Sequence, residues 1–206
     1  MEAAMAPRRA MCAACLRPQS ACICQWITPI AHQTEVLILQ HPLEVNHAKN
    51  TARLLHLSLP GSLMVIGEAF DDASLREAMS VPKYTVLLYP PTQYDGHDAL
   101  APLDTAQLKD ASKVRLVVLD ATWRKSRKML HLSPLLQRLP RLSLAAVAPS
   151  GYAIRKAHKP GQLSTLEATC AALAQLEGAP LKFQSLLAAF DRFVVQQQDF
   201  LREKGL

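Results

Sequence analysis

The segment VRLVVLDATWRKSRKML, Val114 to Leu130, ends an apolar run in an acid, a hydroxyl and an indole: Asp120, Thr122 and Trp123. Arg124, Lys125, Arg127 and Lys128 follow at i, i+1, i+3 and i+4, so on a helix they share one face. A carboxylate at the tip of a buried strand can act as a general base if burial raises its basicity. It can equally cap the next helix by accepting a backbone N–H. The indole can stack on a nucleic-acid base, or fill the core beside Met129 or Leu130. The cations can hold phosphates or form an ordinary solvated face. Taken alone, the segment leaves each pair of readings open.

A second cluster is CAACLRPQSACIC, in which Cys12, Cys15, Cys22 and Cys24 follow C-x2-C-x6-C-x-C. Four thiolates complete a tetrahedral zinc site, and Pro18 and Ser20 supply turn chemistry between the two pairs. The spacing fits neither common ferredoxin pattern, so zinc is expected over an iron–sulfur cluster. With all four positions filled by protein the ion would be structural. Arg8, Arg9 and Arg17 flank this knuckle and suit contact with nucleic acid. Cys170 stands apart, at helical spacing from Leu166 and Leu173, and is expected to be a buried, inert thiol.

Several chemistries are absent. There is no G-x-G-x-x-G or Walker A loop, and the seven glycines are scattered, so nothing cradles a pyrophosphate. This argues against nicotinamide dinucleotides and ATP. A nucleoside cofactor without phosphates, such as S-adenosylmethionine, needs no such cradle. The commonest hydrolase signatures, G-x-S-x-G and H-E-x-x-H, are also missing. A net charge of +6 and a pI near 9.2 suit a polyanionic partner. No apolar run approaches the roughly 20 residues of a membrane helix, and the N-terminus lacks a secretory pattern, so a cytoplasmic protein with reduced cysteines is expected.

These residues need a scaffold. At 206 residues, 50% hydrophobic and 19% charged, the composition is that of one globular domain with a small appendage. The expected division is an arm and knuckle at 1–30 and an α/β domain at 31–206. TEVLILQ, SLMVIG, YTVLLY, VRLVVLD and LSLAAV read as strands buried on both faces. NHAKNTARLLHLSLP, DDASLREAMS, TWRKSRKMLHLSPLLQRL and two segments near 164–177 and 181–203 read as helices. The alternation predicts an α/β fold with a largely parallel sheet flanked by helices. In such folds ligands bind beyond the carboxyl ends of the strands, where QHP (40–42), YPPTQY (89–94) and Asp120–Trp123 are expected to converge.

DATWRKSRKM resembles the signature of the DTW-domain family, with Asp120, Thr122 and Trp123 as its Asp-Thr-Trp motif. LQHPLEVNHAKNTARLL (39–55) is similar to that family's first strand-loop-helix, and LLYP (87–90) and YAIRKAHKPGQLSTLEA (152–168) to its later blocks. The knuckle resembles that of many bacterial members. The resemblance implies a tRNA-uridine aminocarboxypropyltransferase, which moves the 3-amino-3-carboxypropyl group of S-adenosylmethionine to N3 of a uridine in tRNA. It also implies kinship with SPOUT-like methyltransferases, which allows a C-terminal knot that nothing in the periodicity requires.

On that resemblance, Asp120, Thr122 and Trp123 form the catalytic set. Leu88, Tyr89, Pro90, Tyr152, Arg155, Leu163, Ser164, Thr165 and Glu167 bind the cofactor, with Leu88 and Leu163 suited to adenine and Arg155 or the helix start at Ser164 to a carboxylate. Arg17, His41, Arg53, Arg124, Lys125, Arg127 and Lys128 serve tRNA. STLE (164–167) also reads as a capping box, which favours a structural role for Glu167, and His41 suits a loop hydrogen bond better than catalysis. Uridine N3 is protonated at neutral pH, and Asp120 is the expected base. Two other readings stand beside this one: an RNA methyltransferase using the same cofactor, and a noncatalytic tRNA-binding zinc module. The oligomeric expectation is a monomer or small homo-oligomer.

Overall fold

The computed structural model describes residues 10–47, 50–70, 72–90, 101–144 and 163–203. Five strands, β1 (Glu35–Gln40), β2 (Leu63–Ile66), β3 (Tyr84–Leu88), β4 (Val114–Asp120) and β5 (Arg141–Leu142), form one all-parallel sheet in the order β2-β1-β4-β3-β5. The helices are α1 (Ala52–Ser58), α2 (Asp72–Ala78), α3 (Trp123–His131), α4 (Pro134–Gln137), α5 (Thr165–Leu176) and α6 (Gln184–Glu203).

Period-two alternation sorts the side chains into two apolar layers. Val36, Ile38, Leu116 and Val118 pack with α1, α5 and α6 on one face; Leu37, Leu39, Val117 and Leu119 pack with α2, α3 and α4 on the other. Helices on both faces explain why β4 is buried along its whole length. Burial on both faces fails for β2, an edge strand whose Leu63 and Ile66 are exposed.

The long helical stretch after Asp120 divides at Ser133. Pro134 lacks an N–H and cannot continue α3, but it sits without cost in the first turn of α4. Among the described residues, the run expected as the last strand pairs through Leu142, with Arg141 before it. Residues 145–162 lie outside the described part of the chain, and the question of a knot falls on them.

From β1 the chain runs through α1 to β2 on one side, and from β4 through α3 and α4 to β5 on the other. The exits of the adjacent strands β1 and β4 therefore flank the point where the winding reverses, which is where open α/β sheets bind ligands. Gln40 and Asp120, the last residues of these strands, are paired in register.

The cysteine-rich segment closes with an antiparallel bridge between Met11 and Pro18 and places Leu16 at φ 56°. Cys15, Ile23 and Ile30 belong to the same apolar layer as α1, α5 and α6. Among the described residues no helix is long and apolar enough to cross a membrane.

Candidate active site

Asp120 is 4% exposed, and its carboxylate is a hub. Gln40 Nε2 donates to Oδ2 at 2.9 Å, Asn50 Nδ2 donates to Oδ2 at 2.7 Å, and the Thr165 hydroxyl donates to Oδ1 at 2.7 Å. These donors come from the end of β1, the approach to α1 and the first turn of α5, so one carboxylate ties three elements to the tip of β4. Asp120 is not the cap of α3. Thr122 holds that position, with extended backbone and no side-chain cap bond, and the Asp120 side chain turns across the sheet instead.

Trp123 opens α3 and is 54% exposed, which overturns a core role beside Met129. Its ring meets Tyr89 edge-on, with centroids 5.5 Å apart. Tyr89 is buried, its hydroxyl lies 3.3 Å from Ser126 Oγ, and Ser126 donates to the Trp123 carbonyl. The indole is thus held from below while part of its surface faces solvent.

Two ion pairs seat α3. Lys125 binds Glu44 at 2.7 Å and Lys128 binds Glu68 at 3.0 Å. Glu68 also lies 3.0 Å from His41 Nε2, while His41 Nδ1 accepts from the Leu43 N–H. An accepting Nδ1 leaves the proton on Nε2, so His41 donates to Glu68. Lys128, and then His41, hold the Glu68 carboxyl below its ordinary value.

Away from this edge, the sulfurs of Cys12, Cys15, Cys22 and Cys24 all lie within 4.8 Å of one another. The Cys12–Cys24 and Cys15–Cys22 separations are 3.5 and 3.7 Å. Tetrahedral zinc with bonds of about 2.3 Å needs sulfurs about 3.8 Å apart, so the cluster fits the ion. Backbone N–H groups of Cys15 and Ala14 pull the Cys12 thiol down to about 6, whereas Cys12 and Cys22 push Cys24 up to about 12. Cys170 is buried with Leu166 and Leu173, and burial pushes its thiol up to about 12, as an inert core cysteine requires.

An open depression of about 520 Å³ lies at the opposite ends of the strands, lined by Gln33, Asp110 and Glu177 among others, remote from this constellation.

Residues 9–198 match the family model described as DTW domain. The chain belongs to the DTW domain family. It is 35% identical over 200 residues to tRNA-uridine aminocarboxypropyltransferase 2 of Drosophila melanogaster, covering 93% of this chain and 76% of that protein. The protein of the same name from Macaca fascicularis is 29% identical over 178 residues, 84% of this chain and 58% of its own length. tRNA-uridine aminocarboxypropyltransferase A of Arabidopsis thaliana is 30% identical over 146 residues, 64% of this chain and 54% of its own. The chain thus spans little more than half of the macaque and Arabidopsis proteins. No solved structure matches it.

Within this DTW domain the motif's acid and indole lie at one strand exit, as expected, joined by Leu88, Tyr89 and Pro90 at the end of β3. Ser164 and Glu167 form a reciprocal capping box on α5, so the structural reading of Glu167 holds. The Thr165 hydroxyl is engaged by Asp120, and Leu163 is exposed beside that cap. Tyr152 and Arg155 lie outside the described residues.

The groups expected on tRNA divide. Arg124, Arg127 and Lys128 are exposed on α3, with Lys125 half-buried against Glu44. His41 is buried with both ring nitrogens engaged, which corrects its placement among tRNA contacts. Arg17 donates to the Asn50 carbonyl and sits over the Phe193 ring, and Arg53 donates to the Ala14 carbonyl. These two arginines are braces between knuckle and domain.

Gln40, Glu44 and Glu68 were missed as site residues. Gln40 had a signal, because both central apolar strands end in a polar residue. Glu68 had none, since the contact with Lys128 spans sixty residues of sequence.

Proposed function

We propose that this chain transfers the 3-amino-3-carboxypropyl group of S-adenosylmethionine to N3 of a uridine in tRNA. The observation that carries this reading is the buried Asp120 carboxylate beside an exposed indole and a cationic helix face, all at the strand exits of a DTW domain. The similarity to proteins named for this transfer supports it over almost the whole chain.

The residues present fit the donor. The Asp120 anion suits a sulfonium cation, and half-buried Leu88 with exposed Pro90 and Leu163 offers apolar surface to adenine. Bound there, the donor supplies an electrophilic methylene next to sulfur. As N3 bonds to that carbon, the sulfur–carbon bond breaks and its electron pair stays on sulfur, leaving a neutral thioether. The N3 proton passes to Asp120 and then to solvent.

The three donors on Asp120 fix its direction, leaving at most one of about four acceptor positions for a substrate proton. Proton transfer to Asp120 accompanies N3 alkylation, because a forming N–C bond makes N3–H acidic. Trp123 supplies a stacking face for the target base, and Arg124, Arg127 and Lys128 approach phosphates.

Zinc fits the cysteine quartet as a structural ion, and free thiols suit a reducing compartment such as the cytoplasm.

The test is incubation of unmodified tRNA with S-adenosylmethionine and the protein, followed by mass analysis of the nucleosides. An aminocarboxypropyl-uridine is the expected product. A methylated base would make the protein a methyltransferase, and tRNA binding with no adduct would make it a binding module.

A further inference from the structure

Asn50 stands between the cysteine knuckle and the active-site carboxylate. Its side-chain N–H donates to Asp120 Oδ2 at 2.7 Å, and its carbonyl accepts from Arg17 at 2.7 Å. Its side-chain oxygen accepts from the backbone N–H of Arg53 at 3.1 Å, and the Arg53 guanidinium reaches back to the Ala14 carbonyl at 3.0 Å. Asn50 is 6% exposed, so these bonds restrict a buried group. Arg17 belongs to the loop that carries Cys12 and Cys15 and Arg53 ends on it, and Leu16 at φ 56° reverses the chain there immediately before Arg17. That left-handed conformation is unfavourable for a leucine, so the closed loop must impose it.

We propose that Arg17 is a positioning residue which, through Asn50, makes the aim of Asp120 depend on a closed cysteine knuckle. The knuckle is then part of the catalytic apparatus as well as a structural appendage. The relay rests on the transfer reading above for its effect on rate, but its existence can be measured without any reaction.

The test uses full-length protein in three forms: wild type, Arg17→Gln and Arg17→Lys. The side-chain amide of Asn50 is followed by nitrogen-15 NMR, identified by its loss in Asn50→Ser. In Arg17→Gln that signal should shift or broaden, and removal of zinc from the wild type should move it in the same sense. Arg17→Lys, which keeps a donor and a cation over Phe193, should restore it at least in part. In the transfer assay Arg17→Gln should lower kcat by about 10- to 100-fold with KM for donor and tRNA near wild type, the loss expected from a misplaced reacting group. Phe193→Leu, which removes the ring under Arg17 and keeps its hydrogen bond, should leave the Asn50 signal in place. An unchanged Asn50 signal in Arg17→Gln overturns the relay, as does an Arg17→Lys protein no better than Arg17→Gln. A shifted signal with wild-type kcat overturns the link to catalysis. If wild-type protein transfers nothing, the transfer reading fails while the NMR result still decides the relay.

Discussion

Asp120 shows how a residue's role follows from its partners. As a cap it could become Asn without loss, because Asn caps a helix as well as Asp does. As a hub it cannot, because an Asn amide would turn N–H groups toward the donors Gln40, Asn50 or Thr165. We expect Asp120→Asn to lose about 1–3 kcal/mol of stability, the cost of a buried unsatisfied group, and to lower transfer roughly 10²–10⁴-fold. A thermal melt and a single-turnover transfer assay check the two effects separately. A normally stable, active Asn variant would remove Asp120 from both roles. For Trp123 the expectation is the reverse. Trp123→Ala gives up exposed surface and one edge contact, so stability should fall by no more than about 1 kcal/mol. Stacking of a base is worth about 1–3 kcal/mol, so KM for tRNA should rise roughly 5- to 150-fold, with Trp123→Phe close to wild type. Steady-state kinetics over tRNA concentration decides this.

At the scale of the element, α3 is a cationic helix partly neutralised by its own neighbours. Lys125 and Lys128 are held by Glu44 and Glu68, so their charge is divided between protein and any phosphate. Sequence spacing alone made all four cations equivalent. With these pairs formed, Arg124→Ala should reduce the salt slope of tRNA binding by about one unit, and Lys125→Ala by less. Binding measured across a salt series separates them, and equal slopes would mean that the ion pairs open when tRNA binds. Glu68 also ties α3 to His41. Because its folded-state pKa is depressed, its contribution is present above the ordinary carboxylate value and is lost as pH falls through the lowered one. Glu68→Gln should therefore lower stability slightly near neutrality, where the contribution is present, converge with wild type in acid, and so flatten the acid side of the profile. Melting temperatures from about pH 7 down to about pH 3 test the sign.

For the whole molecule, the knuckle shares the core. Cys15, Ile23 and Ile30 pack in the layer of α1, α5 and α6, and Trp26 donates to Gln196 on α6. A knuckle that were a mere appendage would loosen on its own when the metal is lost, with the α/β body intact. The observed packing instead predicts one cooperative transition. Purified protein should carry about one zinc per chain. Cys22→Ser or chelation should lower the melting temperature of the entire domain, because binding free energy of a structural ion is folding free energy. A calorimetric trace with the main transition unmoved would return the knuckle to independence.

Local pattern was enough to establish the strand–helix alternation, the four-cysteine quartet, the capping box at Ser164 and the acid and indole at one strand exit. Each of these depends on residues within a turn or two, where periodicity and side-chain chemistry act directly. Strand order, the exposure of β2 and the split between α3 and α4 needed the packed sheet, since an apolar run reads alike at an edge and in the centre. The roles of single residues needed it most. The donors on Asp120 come from 80, 70 and 45 residues away, and Arg17 reaches Asn50 across 33. Periodicity tells which face a side chain occupies. Only the tertiary fold brings distant polar groups to one carboxylate, and their donated hydrogen bonds make Asp120 a hub and Arg17 a brace.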